Sequence, residues 1–181
     1  MYVFDVRLAD ADRSVNESLT IRMAQHPSET PDYLVTRLLA YCLEHTEGIA
    51  FSKGLSDPDE PAIFVRDLTG VLQAWIEIGS PDAERLHRAA KAAPDVAVYC
   101  HRGLDSLIAR LAGERIHRAG EIRLRAVDPE LLSGLVARLD RRMSVDLTVS
   151  DNTLYITHGD ETLTGGVEER RLEGTRPGLP R

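Results

Sequence analysis

Residues 62–100 read AIFVRDLTGVLQAWIEIGSPDAERLHRAAKAAPDVAVYC, and this stretch decides the fold. Ala62-Ile63-Phe64-Val65 and the run 71–78 are rich in β-branched and aromatic residues, the composition of strands. Asp67-Leu68-Thr69-Gly70 between them is a turn, so the two runs form a hairpin. Ser80-Pro81-Asp82 caps a helix that runs through Ala93, with Pro81 at its first position. Val96-Ala97-Val98-Tyr99-Cys100 is apolar throughout, as a buried parallel strand is.

Upstream, Tyr2, Phe4 and Leu8, then Val15, Leu19, Ile21 and Met23, suggest two strands joined near 9–13. Ser28-Glu29-Thr30-Pro31 is a helix start: a hydroxyl, an acid and a proline in the first turn. Leu34, Val35, Leu38, Leu39, Cys42 and Leu43 then share one apolar stripe, while Glu29, Tyr33, Arg37 and Tyr41 recur at spacing four on another. Ile49-Ala50-Phe51 is a short apolar piece, followed by an acidic loop with Asp57, Asp59 and Glu60. Downstream lie a helix at 104–111, a strand at 122–127, an Asp128-Pro129-capped helix to Leu139 and a hairpin of 145–149 with 154–157. Helices alternating with strands predict an α/β (α+β) fold, a mixed central sheet flanked by helices with β-hairpins at both ends.

The length, 181 residues, predicts a single domain over 1–167, and the charged, Gly/Pro-punctuated stretch 168–181 predicts a flexible tail. Apolar residues at 43% supply a core. Two cysteines, Cys42 and Cys100, make no disulfide framework and read as buried thiols of a reducing compartment. The N-terminus lacks the basic start and apolar run of a signal peptide, and no window reaches a membrane span, so the expectation is cytoplasmic with no membrane partner.

The net charge of −7 disfavours a sequence-blind nucleic-acid coat, but the charge is uneven. Residues 1–60 carry 11 acids and 5 bases, net −6, whereas 85–125 carry 9 bases and 4 acids, net +5. Glu77 stands in the apolar strand Ala74-Trp75-Ile76-Glu77-Ile78, where a carboxylate without a partner costs several kcal/mol. It either meets water or an arginine at the strand end, or serves as a metal-binding or catalytic carboxylate. Alternation puts Gln73, Trp75, Glu77 and Gly79 on one face. Asp59 and Glu60 offer the hard oxygens that Mg2+ or Mn2+ prefers, or are a solvated turn. Glu29 either serves the helix dipole or points into the same site. Arg85, Arg88 and Lys91 repeat every three residues on one helix face, a solvated face or a phosphate-binding one. The sequence holds no Walker A loop, GxGxxG, GxSxG, CxxC or HExxH pattern.

His26-Pro27-Ser28-Glu29-Thr30, Arg37-Leu38-Leu39-Ala40, Lys53-Gly54-Leu55-Ser56, Asp59-Glu60-Pro61, Asp67-Leu68-Thr69-Gly70 and Trp75-Ile76-Glu77-Ile78-Gly79-x-Pro81 together resemble the YaeQ family. The resemblance implies a variant of the PD-(D/E)XK, restriction-endonuclease-like core but no known activity; what the wider superfamily implies is phosphodiester cleavage with Mg2+ or Mn2+ held by carboxylates. Carried over, Glu29 is similar to the helix acid and Glu77 to the second strand carboxylate, with Glu60 or Asp59 standing in for the first. Gly79 occupies the position of the superfamily's lysine, and Ala62 follows Pro61 where many family members look like Glu-Pro-Asp. Arg88 or Lys91 is the candidate replacement for that lysine, although an arginine only stabilises charge and cannot shuttle a proton. Two readings stand: a metal-dependent nuclease with Glu29, Glu77, Arg88 and Lys91 as catalytic residues and Glu77, Glu60 and Asp59 on the metal, or a catalytically decayed module that binds a nucleic acid or a protein, with Arg85, Arg88 and Lys91 on the phosphates.

Overall fold

The computed structural model describes residues 1–53 and 59–172. The chain divides into two compact units, the first from residues 1–45 and 127–168, the second from 46–126 and the residues after 168. Both are mixed α/β, as the sequence predicts, and four α-helices are described in all. No helix among the described residues is long and apolar enough to cross a membrane.

In the first unit β1 (Tyr2–Asp10) and β2 (Val15–Met23) form an antiparallel hairpin. β1 also pairs in parallel with β8 (Arg142–Ser150), which pairs with β9 (Thr153–His158), which pairs with β10 (Glu161–Arg171). Phe4, Val6, Met143, Val145, Leu147 and Ile156 line one side of this sheet against α1 (Pro31–Leu43) and α4 (Pro129–Ala137). The other face is polar, with Arg7 and Asp146 in a two-bond ion pair at 2.6 and 2.7 Å. Thr30 caps α1, its hydroxyl accepting the Tyr33 N–H, and Pro31 follows with no N–H to waste. At the other end of α1, Arg13 reaches across from the β1–β2 turn and donates to the carbonyls of Leu43 and His45 at 2.6 and 2.5 Å.

In the second unit β5 (Leu72–Ile78), β6 (Asp95–Tyr99) and β7 (Arg123–Val127) are parallel. β4 (Ile63–Arg66) and β3 (Ile49–Phe51) extend the sheet in antiparallel fashion from β5. α2 (Ala83–Ala92) and α3 (Leu104–Leu111) supply the parallel crossovers. Their apolar sides meet the sheet around Trp75, Leu86, Val98, Leu107 and Leu124. The hairpin of the decisive stretch and its parallel partner are therefore as the sequence predicts.

Three local expectations are corrected. Asp82, not Ser80, caps α2, because its carboxylate accepts the Arg85 N–H at 2.8 Å, and Pro81 lies just outside the helix. The final hairpin has a third strand, β10, which pairs with β9 where the sequence pattern predicts none. Gly165 lets β10 pass close to α4, where a Cβ would come within 2.8 Å of Asp128 and Leu131. The tail does not start at Glu168: strand structure runs to Arg171, held by Arg170 on Asp105, by the Arg171 guanidinium on the Glu121 carbonyl and by burial of Leu172. Positions 173–181 of the expected tail, and Gly54 through Pro58 of the acidic loop, lie outside the described residues.

Candidate functional site

Glu77 sits next to the end of β5, and only 5% of the residue is exposed. Alternation along the strand puts Trp75 on the same face two residues earlier, and the indole N–H donates to Glu77 Oε1 at 2.6 Å. The same oxygen faces Arg85 Nη2 at 2.9 Å. Arg85 lies in the first turn of α2, so its side chain lies over the strand end. Its guanidinium carbon is 5.7 Å from the Trp75 ring centroid, and it also donates to the Glu60 carbonyl at 2.7 Å. A buried carboxylate is tolerable here because a cation and an indole N–H meet one of its oxygens.

The acidic loop comes to α2 through the arginines. Glu60 contributes its main-chain oxygen to Arg85, and Asp59 Oδ1 lies 3.5 Å from Arg88 Nη1 with its side chain largely in solvent. Lys91 is exposed, one turn beyond His87. Gly79 ends the strand at φ +100°, with its N–H on the Tyr99 carbonyl. A side chain there is strained, which explains why no lysine stands at this position. As placed, these groups do not fit a divalent cation: Glu77 Oε1 is committed to Trp75 and Arg85, and no three His, Cys, Asp or Glu gather among the described residues.

Glu29 belongs to the first unit, where it precedes the Thr30 cap and lies just outside α1. Its Oε2 lies 3.3 Å from Arg37 Nη2, and its buried Oε1 has no hydrogen-bond partner. Burial pushes its pKa up, against the pull of Arg37, of a hydrogen bond from the His26 main chain and of the His26 charge. The spacing of four that puts Glu29, Tyr33 and Arg37 on one stripe is realised here, with Arg37 also 5.9 Å from the Tyr33 ring.

The basic segment is spent largely inside the second unit. Arg110 donates to the carbonyls of Ser80 and Pro81, and Arg118 to those of Ala90, Ala93 and Pro94. Arg123 pairs with Asp95, and Arg125 with the Tyr99 hydroxyl and Glu169. Lys91, Arg102 and Arg115 hold no hydrogen bond or ion pair among the described residues. The sequence offers an arginine as one partner of Glu77 and puts Trp75 on its face, and the structure bears this out, but the sequence does not single out Arg85 or the indole N–H. The available signal was the strand's own alternation together with the need of any buried carboxylate for a cation.

The family model of the YaeQ protein matches residues 1–166. Uncharacterized protein YaeQ of Escherichia coli (strain K12) is 28% identical over 164 residues, which cover 90% of this chain and 91% of that protein. The Salmonella typhi protein of the same description is 29% identical over 164 residues, with the same coverage of 90% and 91%. The crystal structure of YaeQ from Xanthomonas axonopodis pv. citri superposes with a TM-score of 0.84 at 28% identity, covering 95% of this chain and 98% of that one. That of YaeQ from Pseudomonas syringae gives a TM-score of 0.82 at 30% identity, covering 96% and 95%.

Proposed function

The chain belongs to the YaeQ family, and from that premise we propose that it is a nuclease-like protein that holds a phosphodiester backbone on the α2 side of its second unit without cutting it. The observation that carries this reading is Arg85 on Glu77: a fixed guanidinium supplies the positive charge that a metal ion supplies to the carboxylates of a PD-(D/E)XK nuclease. The exposed side chains of Arg88 and Lys91 on the same helix support contact with phosphates.

A second reading is cleavage with Mg2+ or Mn2+, the activity that the nuclease likeness implies. The observation that favours it lies within the second unit, where Glu77 and the loop residues Glu60 and Asp59 meet the same helix, α2, through Arg85 and Arg88. In that reading Glu77, with Glu60 or Asp59, would hold the ion, and Arg85 would have to leave Glu77.

One experiment separates the two. DNA and RNA substrates are incubated with the purified chain and with its Glu77→Ala variant, with Mg2+ and with Mn2+, and both retention and cleavage are followed. The binding reading expects retained, uncut nucleic acid. Metal-dependent cleavage that disappears in Glu77→Ala overturns it in favour of the nuclease, and neither retention nor cleavage removes both.

A further inference from the structure

Beside Arg85 and Arg88, whose charges are met by Glu77 and Asp59, α2 carries a second group of basic side chains. His87 Nδ1 accepts the main-chain N–H of His117 at 2.9 Å, which ties the α3–β7 connection to α2. The two imidazoles lie edge to face with centroids 6.2 Å apart. With Nδ1 accepting, the ring proton of neutral His87 sits on Nε2, which becomes a donor. Lys91 follows one turn later on the helix, and Arg115 stands two residues before His117. Both are exposed and hold no hydrogen bond or ion pair among the described residues.

The field at His87 has one sign. Lost hydration, then the charges of Lys91, His117 and Arg115, hold its imidazole below the ordinary histidine range. Glu84 and Glu114 are the acids nearest in sequence, both exposed, and neither figures among those influences. Two imidazoles thus meet where a helix and a loop come together, Lys91 and Arg115 lie on the same two segments, and no acid figures among the influences on His87. That is a set of donors for a multiply charged oxyanion.

We infer that His87, Lys91, Arg115 and His117 form a phosphate-binding site, and that the phosphate it takes is that of a nucleic-acid backbone. The choice of occupant rests on the function proposed above; the site itself rests on the side chains, and free phosphate offers it the same chemistry.

The test uses the full chain at fixed ionic strength. Inorganic phosphate is titrated while the His117 amide and the histidine ring signals are followed by NMR. A fluorescent DNA duplex is titrated separately over a range of salt. Phosphate is expected to shift the His117 amide saturably. Lys91→Ala/Arg115→Ala is expected to weaken duplex binding about tenfold or more and to lower the salt slope by about two. Lys91→Arg/Arg115→Lys keeps the charges and is expected to keep the binding, which separates loss of charge from damage to the fold. Saturable phosphate shifts without duplex binding keep the site and overturn its nucleic-acid occupant. Duplex bound equally by wild type and the double alanine variant, with an unmoved His117 amide, overturns the site and leaves the proposed function standing.

Discussion

Replacing Arg85 with alanine strands a buried carboxylate. Glu77 keeps the Trp75 N–H but loses its cation, and the loss of one partner from such a pair costs about 3 kcal/mol. Trp75 is the sole tryptophan of the chain, so the event has its own reporter. Arg85→Ala is expected to lower the chemical-denaturation midpoint and shift the emission of Trp75, and Glu77→Gln in the same chain is expected to recover part of the loss. Unchanged stability in Arg85→Ala would mean that the pair contributes nothing. The thiols give a second check at this scale. Both are buried and free, and burial pushes Cys42 up to about 12. A thiol reagent at mildly alkaline pH is expected to leave both unmodified in the native protein and to label both after denaturation. At this scale the sequence showed which carboxylate needed a partner but not which arginine answers. Arg85, Arg88 and Lys91 look alike at spacing three, and only the depth of the first turn of α2 over the strand end distinguishes Arg85.

The elements were legible where local chemistry sets their limits. The Asp128-Pro129 start of α4 and the Asp67 turn follow from side chains that meet their own backbone, and the start of α1 lies within the predicted Ser28–Pro31 stretch, with Thr30 as the cap and Ser28 and Glu29 outside the helix. Thr30→Ala is expected to cost about 1 kcal/mol, read as a lower midpoint of unfolding. The turn between β4 and β5 is expected to respond to acid. The Asp67 carboxylate accepts from the Thr69 hydroxyl and from the Val71 and Thr69 N–H groups and the Gln73 amide, and these hold it below its ordinary value of 3.8. A depressed carboxyl stabilises the fold above the unfolded value and gives that up as pH falls through the folded one. Amide exchange at Thr69 and Val71 is therefore expected to speed up under acid in excess of the intrinsic change, and Asp67→Asn is expected to abolish that excess. β10 was not legible, because Gly165-Gly166 and the charges after Val167 carry little strand propensity of their own. Its strand character comes from pairing with β9 and from the space that Gly165 leaves for α4.

Across the whole molecule, the division of the chain shapes how it folds. Arg7 and Asp146, neighbours in the parallel β1–β8 ladder, are 139 positions apart, whereas β5 and β6 are joined through one short helix. Closing the longer loop costs more entropy before any contact repays it. In pulsed hydrogen exchange during refolding, amides of β5 and β6 are expected to gain protection before those that link β1 to β8; the reverse order would contradict this. No composition shift marks residues 45 and 46 or 126 and 127, where the chain passes between units. Periodicity and caps are local signals, and a partner more than a hundred positions away leaves no trace in them. The basic segment shows the same limit, since a count of charges does not say which ones face inward.

Those inward arginines have a genetic consequence. Arg7 and Asp146 are both side chains, so a charge swap at the two positions preserves the pair and one substitution can suppress the other. Arg13 at the end of α1 and Arg118 at the end of α2 hold main-chain carbonyls as well as the carboxylates of Asp10 and Glu121. No second-site substitution can rewrite a carbonyl, and a lysine, with its compact ammonium, does not reproduce a planar fork spread over several acceptors. Losses at these two positions should therefore resist intragenic suppression at the carbonyl contacts, and any covariation of Arg13 with Asp10 or of Arg118 with Glu121 would report the ion pairs and not the tie to the helix ends.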